Sequence, residues 1–286
     1  MTIKEALSAT RKTLASHHVA ESDLEAQLLL RHATGLSKEQ LFIDINRELT
    51  DEQCSDIELL TQRRIAGTPI AYITGHKEFF GLDFTVNPSV LIPRPETELL
   101  VELAIDIAHQ HKSRLIVDIG TGSGAIAVSL ATHLPDAKMY AVDISSDALK
   151  TTATNCQKHA VTNRVQLLHG NLLDPLPERV DIIVANLPYV TTGQWEQLPG
   201  EIKANEPKSA LDGGADGLDV ITELLATAKD KLRPNGSVLL EIGYDQGKAI
   251  LKLAKKYFPD AQIEIADDLA GLNRVVSIVT YKESNV

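Results

Sequence analysis

Three short segments hold side chains whose type and spacing could do chemistry. The first is Asp118-Ile119-Gly120-Thr121-Gly122-Ser123-Gly124, three alternating glycines behind an acid. Glycine lets a backbone turn sharply and lets a ligand come close. A tight turn with no ligand is the plainer reading, and three glycines in alternation disfavour it. Gly120 to Ala125 also loosely satisfies the dinucleotide pattern G-x-G-x-x-G/A. The second segment is Asp143, which follows at a range suited to ribose hydroxyls. Asp143 could otherwise serve as an acid at a helix start, because Ser145 and Ser146 come next. Loop and acid together imply an adenosine-containing cofactor, without saying which. Asp118 favours one with a cationic end. A carboxylate there can orient the loop or approach a sulfonium and an ammonium, and it suits a pyrophosphate less well.

The D-x-G-x-G-x-G run resembles the first motif of the Rossmann-like methyltransferases. That likeness implies S-adenosyl-L-methionine as cofactor, with S-adenosyl-L-homocysteine as product. The third segment, Asn186-Leu187-Pro188-Tyr189, then gains a meaning. An amide or aromatic amine nitrogen is a poor nucleophile because its lone pair is delocalised. Asn186 can accept a hydrogen bond from a substrate NH2 through its side-chain oxygen. Pro188 exposes a carbonyl that can accept a second. Both bonds would hold the nitrogen in line with the methyl group and favour the positive charge that grows on it. Tyr189 would pack on the flat substrate group. No strong base is required first, in keeping with the lack of an evident His-carboxylate pair nearby. An Asx-type turn ended by proline is the alternative.

These segments need a scaffold that brings them together. From about Pro95 onward, strand and helix patterns alternate. The expected strands are Leu115 to Val117, Met139 to Val142, Val165 to Leu168, Ile182 to Ala185, Val238 to Ile242, Ile263 to Ile265 and Val275 to Val279. Helices are expected over Ala125 to Leu134 and Ser145 to His159. Such alternation implies a mostly parallel seven-stranded sheet covered by helices, an α/β fold. Its ligands bind beyond the C-terminal strand ends, where the strand order reverses. Upstream the pattern is helical. Ala6, Leu7, Thr10 and Leu14 share a spacing, Ser22 is a candidate N-cap before Leu24, Ala26, Leu28, Leu29 and Leu30, and Thr50 with Gln53 looks like a capping box. Tyr72 to Asn87 reads as a β-hairpin around Gly81. The expected division is a helical domain over 1–70, a hairpin linker over 71–90 and a cofactor-binding domain over 91–286. Glu283 to Val286 look loosely held.

Composition narrows the partners. The chain has 286 residues, 43% of them hydrophobic, enough for a large domain and a small one. With 28 Lys and Arg against 39 Asp and Glu, the formal charge is −11. That opposes an electrostatic grip on nucleic acid, so none is expected, and it suits a basic protein partner. Cys54 and Cys156 form no Cys-x-x-Cys pair, and the nine histidines are scattered. No metal site or disulfide framework is suggested. The N-terminal run lacks an apolar signal core and no run is long enough to span a bilayer. A cytoplasmic monomer is expected.

Further segments carry a closer likeness. They are Ile92-Pro93-Arg94-Pro95-Glu96-Thr97-Glu98, Glu206-Pro207 with Ala210 to Leu218, Leu240-Glu241-Ile242-Gly243 with Gln246-Gly247, and Asp268 to Arg274. With the helical N-terminus and the hairpin, the series resembles the peptide chain release factor glutamine methyltransferases (the HemK/PrmC family) over nearly the whole chain. The resemblance implies methyl transfer to the N5 amide of the glutamine in the Gly-Gly-Gln loop of class 1 release factors. It implies that residues Gly120 to Gly124 and Asp143 hold the cofactor, and that Asn186, Leu187, Pro188 and Tyr189 meet the substrate amide, with Asn186 also near the cofactor. It places Asn171 or Leu172 at the adenine, and Arg94 with Glu96 over the cofactor, where a surface salt bridge is the plainer reading. The family usually has Asn-Pro-Pro-Tyr. Leu187 departs from it, and Asn-Leu-Pro-Tyr is also similar to the ribosomal RNA adenine dimethyltransferases. On that motif alone an adenine-N6 methyltransferase acting on DNA or RNA is the alternative.

Overall fold

The helices at the start of the chain are set by their end residues. In the computed structural model, which describes residues 1–281, α1 (Ile3–Ser16), α3 (Lys38–Ile43) and α4 (Asp51–Ile65) each open with a full capping box. Thr2 pairs with Glu5, Ser37 with Gln40 and Thr50 with Gln53, satisfying backbone N–H groups that a helix start leaves bare. α2 (Ser22–Thr34) departs from expectation. Ser22 is its first helical residue, not its cap, and Glu21 before it makes no capping bond. Leu24 faces solvent, while Ala26, Leu29 and Leu30 are buried. α5 (Ile70–Thr74) follows, bounded by Pro69 and by Gly75 at φ +75°. Tyr72 to Thr74 are therefore helical, where a hairpin strand was expected. The fixed φ of proline opens the turn and the left-handed glycine ends it.

These helices form one compact unit, Met1–His76, which also takes in Pro199–Asn205. Its core combines Ile3, Leu30, Leu41 and Ile57 with Leu14, Leu29, Leu60 and Ile73. Across that core Arg64 grips the buried Glu25 through Nε (2.5 Å) and Nη2 (3.2 Å), and its Nη1 reaches Glu201 at 3.2 Å. Asn205 donates to the Gly67 carbonyl at 2.9 Å. The sequence placed residues 199–205 in the large domain; these two side chains bind them to the helical unit instead.

The second unit comprises Lys77–Leu198 and the chain from Glu206 onward. The hairpin β1 (His76–Phe79) and β2 (Leu82–Thr85) turns at Phe80-Gly81, both at positive φ, as a tight hairpin requires. Then α6 (Glu98–His111) leads into the sheet, with β3 (Leu115–Ile119), α7 (Ala125–His133), β4 (Lys138–Asp143), α8 (Ser146–Lys158), β5 (Val165–His169) and β6 (Val180–Ala185). Two short helices, α9 (Thr192–Gln197) and α10 (Gly200–Asn205, in the helical unit), precede α11 (Asp219–Lys231), β7 (Leu232–Glu241), α12 (Gly247–Tyr257), β8 (Gln262–Asp267) and β9 (Asn273–Val279). All seven expected strands are present. Their order is β5-β4-β3-β6-β7-β9-β8, parallel through β7 and antiparallel at β9 and β8.

The central strands read as unbroken apolar runs because helices cover both faces. β3 is buried along its whole length, Asp118 included. Strand order reverses between β3 and β6, which fixes where a crevice opens. Among the described residues no helix is long and apolar enough to cross a membrane. Glu283 to Val286, expected to be loose, lie outside the described residues.

Removing one partner of a buried ion pair leaves the other charged and unsolvated, at a cost of about 3–5 kcal/mol. Arg64→Leu is expected to melt the helical unit at lower urea by about that amount. Arg64→Leu with Glu25→Leu together is expected to recover most of it. Circular dichroism at 222 nm follows the helices, while the fluorescence of Trp195 reports the other unit.

Candidate active site

Strand register brings the three chemical segments to one level. Ile119 pairs with Val142 on one side and Ala185 on the other. The residues that come next along these three strands are Gly120, Asp143 and Asn186. They surround a cavity of about 540 Å³. Residues 120–123, Asp143, Asn171, Leu172 and residues 186–188 line it. Three expected site residues do not. Gly124 caps α7 at φ +80°, Asp118 lies beneath the loop, and Tyr189 packs its ring against the sheet core.

The loop is clamped from both sides. Asp143 accepts from the Gly122 N–H (2.9 Å) and the Ser145 N–H (2.8 Å). The Val142 carbonyl takes the N–H groups of Gly120 and Thr121. From α8, Thr152 donates to the Gly122 carbonyl at 2.9 Å and Asn155 to that of Ser123 at 2.8 Å. A Cβ on Gly124 would stand 2.7 Å from Thr152, so glycine is required there by space as well as by φ.

Asp118 is the anchor under this loop. One oxygen accepts from Thr121 Oγ1 (2.7 Å) and from the Ala127 N–H at the start of α7 (3.2 Å). Its other oxygen is buried with no hydrogen-bond partner. Burial pushes this carboxyl up to about 7, against the Thr121 and Ala127 bonds and with a smaller push from Asp143. An orphaned, buried acceptor beneath a glycine loop is the arrangement a cationic ligand would complete. With Asp143 at the rim, the residues present fit a cofactor carrying a ribose and a positive charge.

At the other wall, Asn186 donates from Nδ2 to Thr97 Oγ1 at 3.0 Å, which turns its oxygen away from Thr97. Gly213 lies against the Pro188 carbonyl so closely that any Cβ would overlap that oxygen. Tyr189 donates its hydroxyl to Glu241 Oε1 at 3.0 Å, and burial, followed by that carboxylate, pushes the phenol's pKa up and keeps it protonated. Arg94 does not pair with Glu96. It reaches Glu206 at 2.5 Å, and Glu206 also accepts from the Ile92 N–H, fastening the 92–94 segment at the cavity's edge. Asn171 donates to Glu223 at 2.7 Å, and Leu172 presents an apolar wall at φ +42°.

Three residues here had no assigned role in the sequence. Thr97 holds Asn186, and Glu241 receives Tyr189. Ile144 is exposed on the cavity wall beside Asp143. A signal existed for two of them: an acid ending an apolar strand at Glu241, and an apolar residue directly after the strand-end acid at Ile144.

Known proteins resemble this chain over nearly its whole length. A release factor glutamine methyltransferase of Moorella thermoacetica is 42% identical over 275 residues, covering 96% of this chain and 97% of that protein. The chain belongs to the release factor glutamine methyltransferase family. A second member, from Neisseria gonorrhoeae, is 43% identical over 256 residues, covering 88% of this chain and 91% of the relative. Residues 5–75 match the family model for the PrmC N-terminal domain, and residues 96–201 that for the methyltransferase small domain. The ribosomal protein L11 methylase of Lactobacillus delbrueckii subsp. bulgaricus shares the fold, with a TM-score of 0.51 and 21% identity over 69% of this chain and 84% of that one.

Asp118 also sets a pH dependence in this family member. An unfolded chain loses this proton near the ordinary 3.8, whereas the folded protein keeps it to about 7. The folded state thus binds more protons between these values, and stability falls as pH rises through them. The loss is on the order of 4 kcal/mol. Asp118→Asn cannot ionise. Relative to the unmodified protein, it is expected to gain stability in the cofactor-free state between pH 5 and pH 8. Urea melts at both pH values check this; an unchanged difference would be contrary to it.

Proposed function

We propose that this chain transfers a methyl group from S-adenosyl-L-methionine to the N5 amide of the glutamine in the Gly-Gly-Gln loop of class 1 peptide chain release factors. The observation that carries the reading is Asn186. Its carboxamide is anchored by Thr97 and lines the same cavity as Gly120 and Asp143. Family membership supports the same substrate.

The bound cofactor supplies a methyl group made electrophilic by a sulfonium. Residues 120–123 receive it at the mouth of the sheet. Asp143 already holds two backbone N–H groups and has further lone pairs for ribose hydroxyls. Ile144 and Leu172 offer apolar surface to the adenine. Asp118 holds the loop from beneath through one oxygen and, when ionised, would favour the cationic end by its charge rather than by contact.

Asn186 Oδ1 and the Pro188 carbonyl take the two N–H groups of the substrate amide. Held this way, the amide plane is fixed and its nitrogen faces the donor. As the new C–N bond forms, positive charge grows on the nitrogen. Both acceptors pull on its protons and lower the energy of that state, and one proton leaves to water. Leu187 changes neither acceptor. Tyr189 serves by holding the segment through Glu241, and its ring is positioned against the core.

Labelled S-adenosyl-L-methionine, offered with a release factor, a Gln-to-Ala release factor or nucleic acid, tests the substrate. The label is expected on the Gly-Gly-Gln glutamine alone, located by mass spectrometry. Methylated adenine with an unlabelled release factor would replace this reading with the nucleic-acid one. Asn186→Ala is expected to lower kcat by about a hundredfold or more while cofactor affinity changes little. Near-full activity would remove Asn186 from the reaction.

The helical unit is proposed to dock the release factor. Phe42 and Ile43 on α3 are exposed apolar residues suited to a protein surface. Changing both to Asp is expected to raise KM for whole release factor severalfold, with kcat and cofactor affinity retained. An unchanged KM would count against docking on this face.

A further inference from the structure

A peptide carbonyl is a fixed acceptor only while the peptides beside it are held. The proposed reaction uses the Pro188 carbonyl, so the backbone that follows, at Tyr189 and Val190, must not turn. The structure holds that backbone group by group. The Tyr189 carbonyl accepts from Gln246 Nε2 at 2.9 Å. The Val190 N–H donates to the Leu211 carbonyl at 3.0 Å, and the Val190 carbonyl accepts from the Gly213 N–H at 2.8 Å. Two of these partners are backbone groups, and the third is the Gln246 side chain.

Gln246 sits in the turn between β7 and α12 and is 7% exposed. Its Oε1 accepts from the Gly243 N–H at 2.8 Å. Its Nε2 also approaches the carbonyls of Gly217 at 3.3 Å and Asp216 at 3.4 Å. A backbone N–H only donates and a carbonyl only accepts, so the two ends of this amide cannot be exchanged. The chain around it is shaped for the approach. A Cβ on Gly217, at φ +73°, would overlap the Tyr189 carbonyl and stand 2.6 Å from Gln246 Nε2. The Tyr189 ring is held separately, by its hydroxyl on Glu241 at 3.0 Å. With the ring and the following peptide both held, the Tyr189 Cα is fixed. The Pro188 carbonyl, one peptide earlier and packed against Gly213, keeps its direction.

We propose that Gln246 is a positioning residue for the methyl transfer: by holding the Tyr189 carbonyl from the β7–α12 turn, it keeps the Pro188 carbonyl aimed at the substrate amide. Gln246 does not line the cavity, so it acts only through the 188–190 backbone. The assignment rests on the proposed methyl transfer to an amide nitrogen.

Glutamate at this position tests it. Gln246→Glu keeps one oxygen for the Gly243 N–H and turns the other to the Tyr189, Asp216 and Gly217 carbonyls. Burial among acceptors pushes such a carboxyl up. Protonated, it has one hydrogen for the Tyr189 carbonyl; ionised, it has none and repels that carbonyl. The readout is kcat in full-length enzyme with release factor, well below the thermal midpoint, divided by that of the unmodified enzyme at the same pH. The ratio is expected to be down about tenfold to a hundredfold near pH 8.5, as for misplaced reacting groups, and to recover toward one near pH 6. Cofactor affinity and KM for release factor are expected to change little. Gln246→Met, similar in length but without a donor, is expected to lose kcat about equally at every pH. A ratio that does not move with pH, near-full kcat in Gln246→Met, or a matching loss of cofactor affinity would overturn the assignment and leave the proposed function standing. Should Gln246→Glu fail to fold, the kcat of Gln246→Met decides alone; failure of both to fold makes Gln246 a stability residue and overturns the assignment. Unmodified enzyme inert toward release factor would overturn both readings.

Discussion

The Asn186 carboxamide offers the fold a donor and the cavity an acceptor, and the structure depends on their not being exchanged. Sheet register puts Asn186 at the right height, because Ala185 pairs with Ile119 and the glycine loop leaves the neighbouring strand at that level. Register cannot choose which end of the amide faces inward. The nitrogen end is held by Thr97, which enters from a short turn before α6, far from β6 in sequence. The site thus joins one constraint of the sheet with one of a distant loop.

A recurring cost accompanies this arrangement. Parallel strands covered on both faces are apolar almost throughout, yet β3 and β7 each carry a buried carboxyl at or one residue before the C-terminal end, Asp118 and Glu241. A buried acid without full pairing opposes folding. Both are raised by burial, and each keeps one oxygen without a partner. The apolar packing of Val117, Ile183, Val238 and Leu240 beside them offsets this cost. Polar groups concentrated at strand ends in an otherwise apolar sheet are where function, not stability, accounts for the residue.

The sheet was legible because its signal is local. Seven short apolar runs, each bounded by turn residues, announced seven strands, and the Gly120 loop and Asp143 announced the crevice. What escaped depends on contacts between distant residues. Thr97 and Glu241 stood inside segments whose likeness to the family was plain, but their roles arise only when β6, β7 and the turn before α6 meet. The same holds for residues 199–205. Nothing in Pro-Gly-Glu-Ile-Lys-Ala-Asn shows that Glu201 will meet Arg64. A surface salt bridge was the plainer reading of Arg94 and Glu96, yet Arg94 pairs with Glu206. At helix ends the errors were smaller and had a local cause. Ser22 has the right side chain for a cap but sits one residue inside the helix, and a left-handed glycine, not a strand, follows Thr74.

Leu187 shows how a departure from a family motif can be absorbed. Its side chain is 5% exposed and belongs to the sheet's core cluster. Its Cδ2 would stand 3.2 Å from a Cβ on Gly120. The space opened by the missing side chain of the loop glycine is therefore met by the branched end of Leu187. The residue contributes shape, while the hydrogen-bonding oxygens belong to its neighbours on either side. Proline at that position would restrict the backbone but could not extend as far toward Gly120. Here the leucine ties the 186–189 segment to the glycine loop by packing, so the two walls of the cavity are held against each other by apolar contact as well as by strand register.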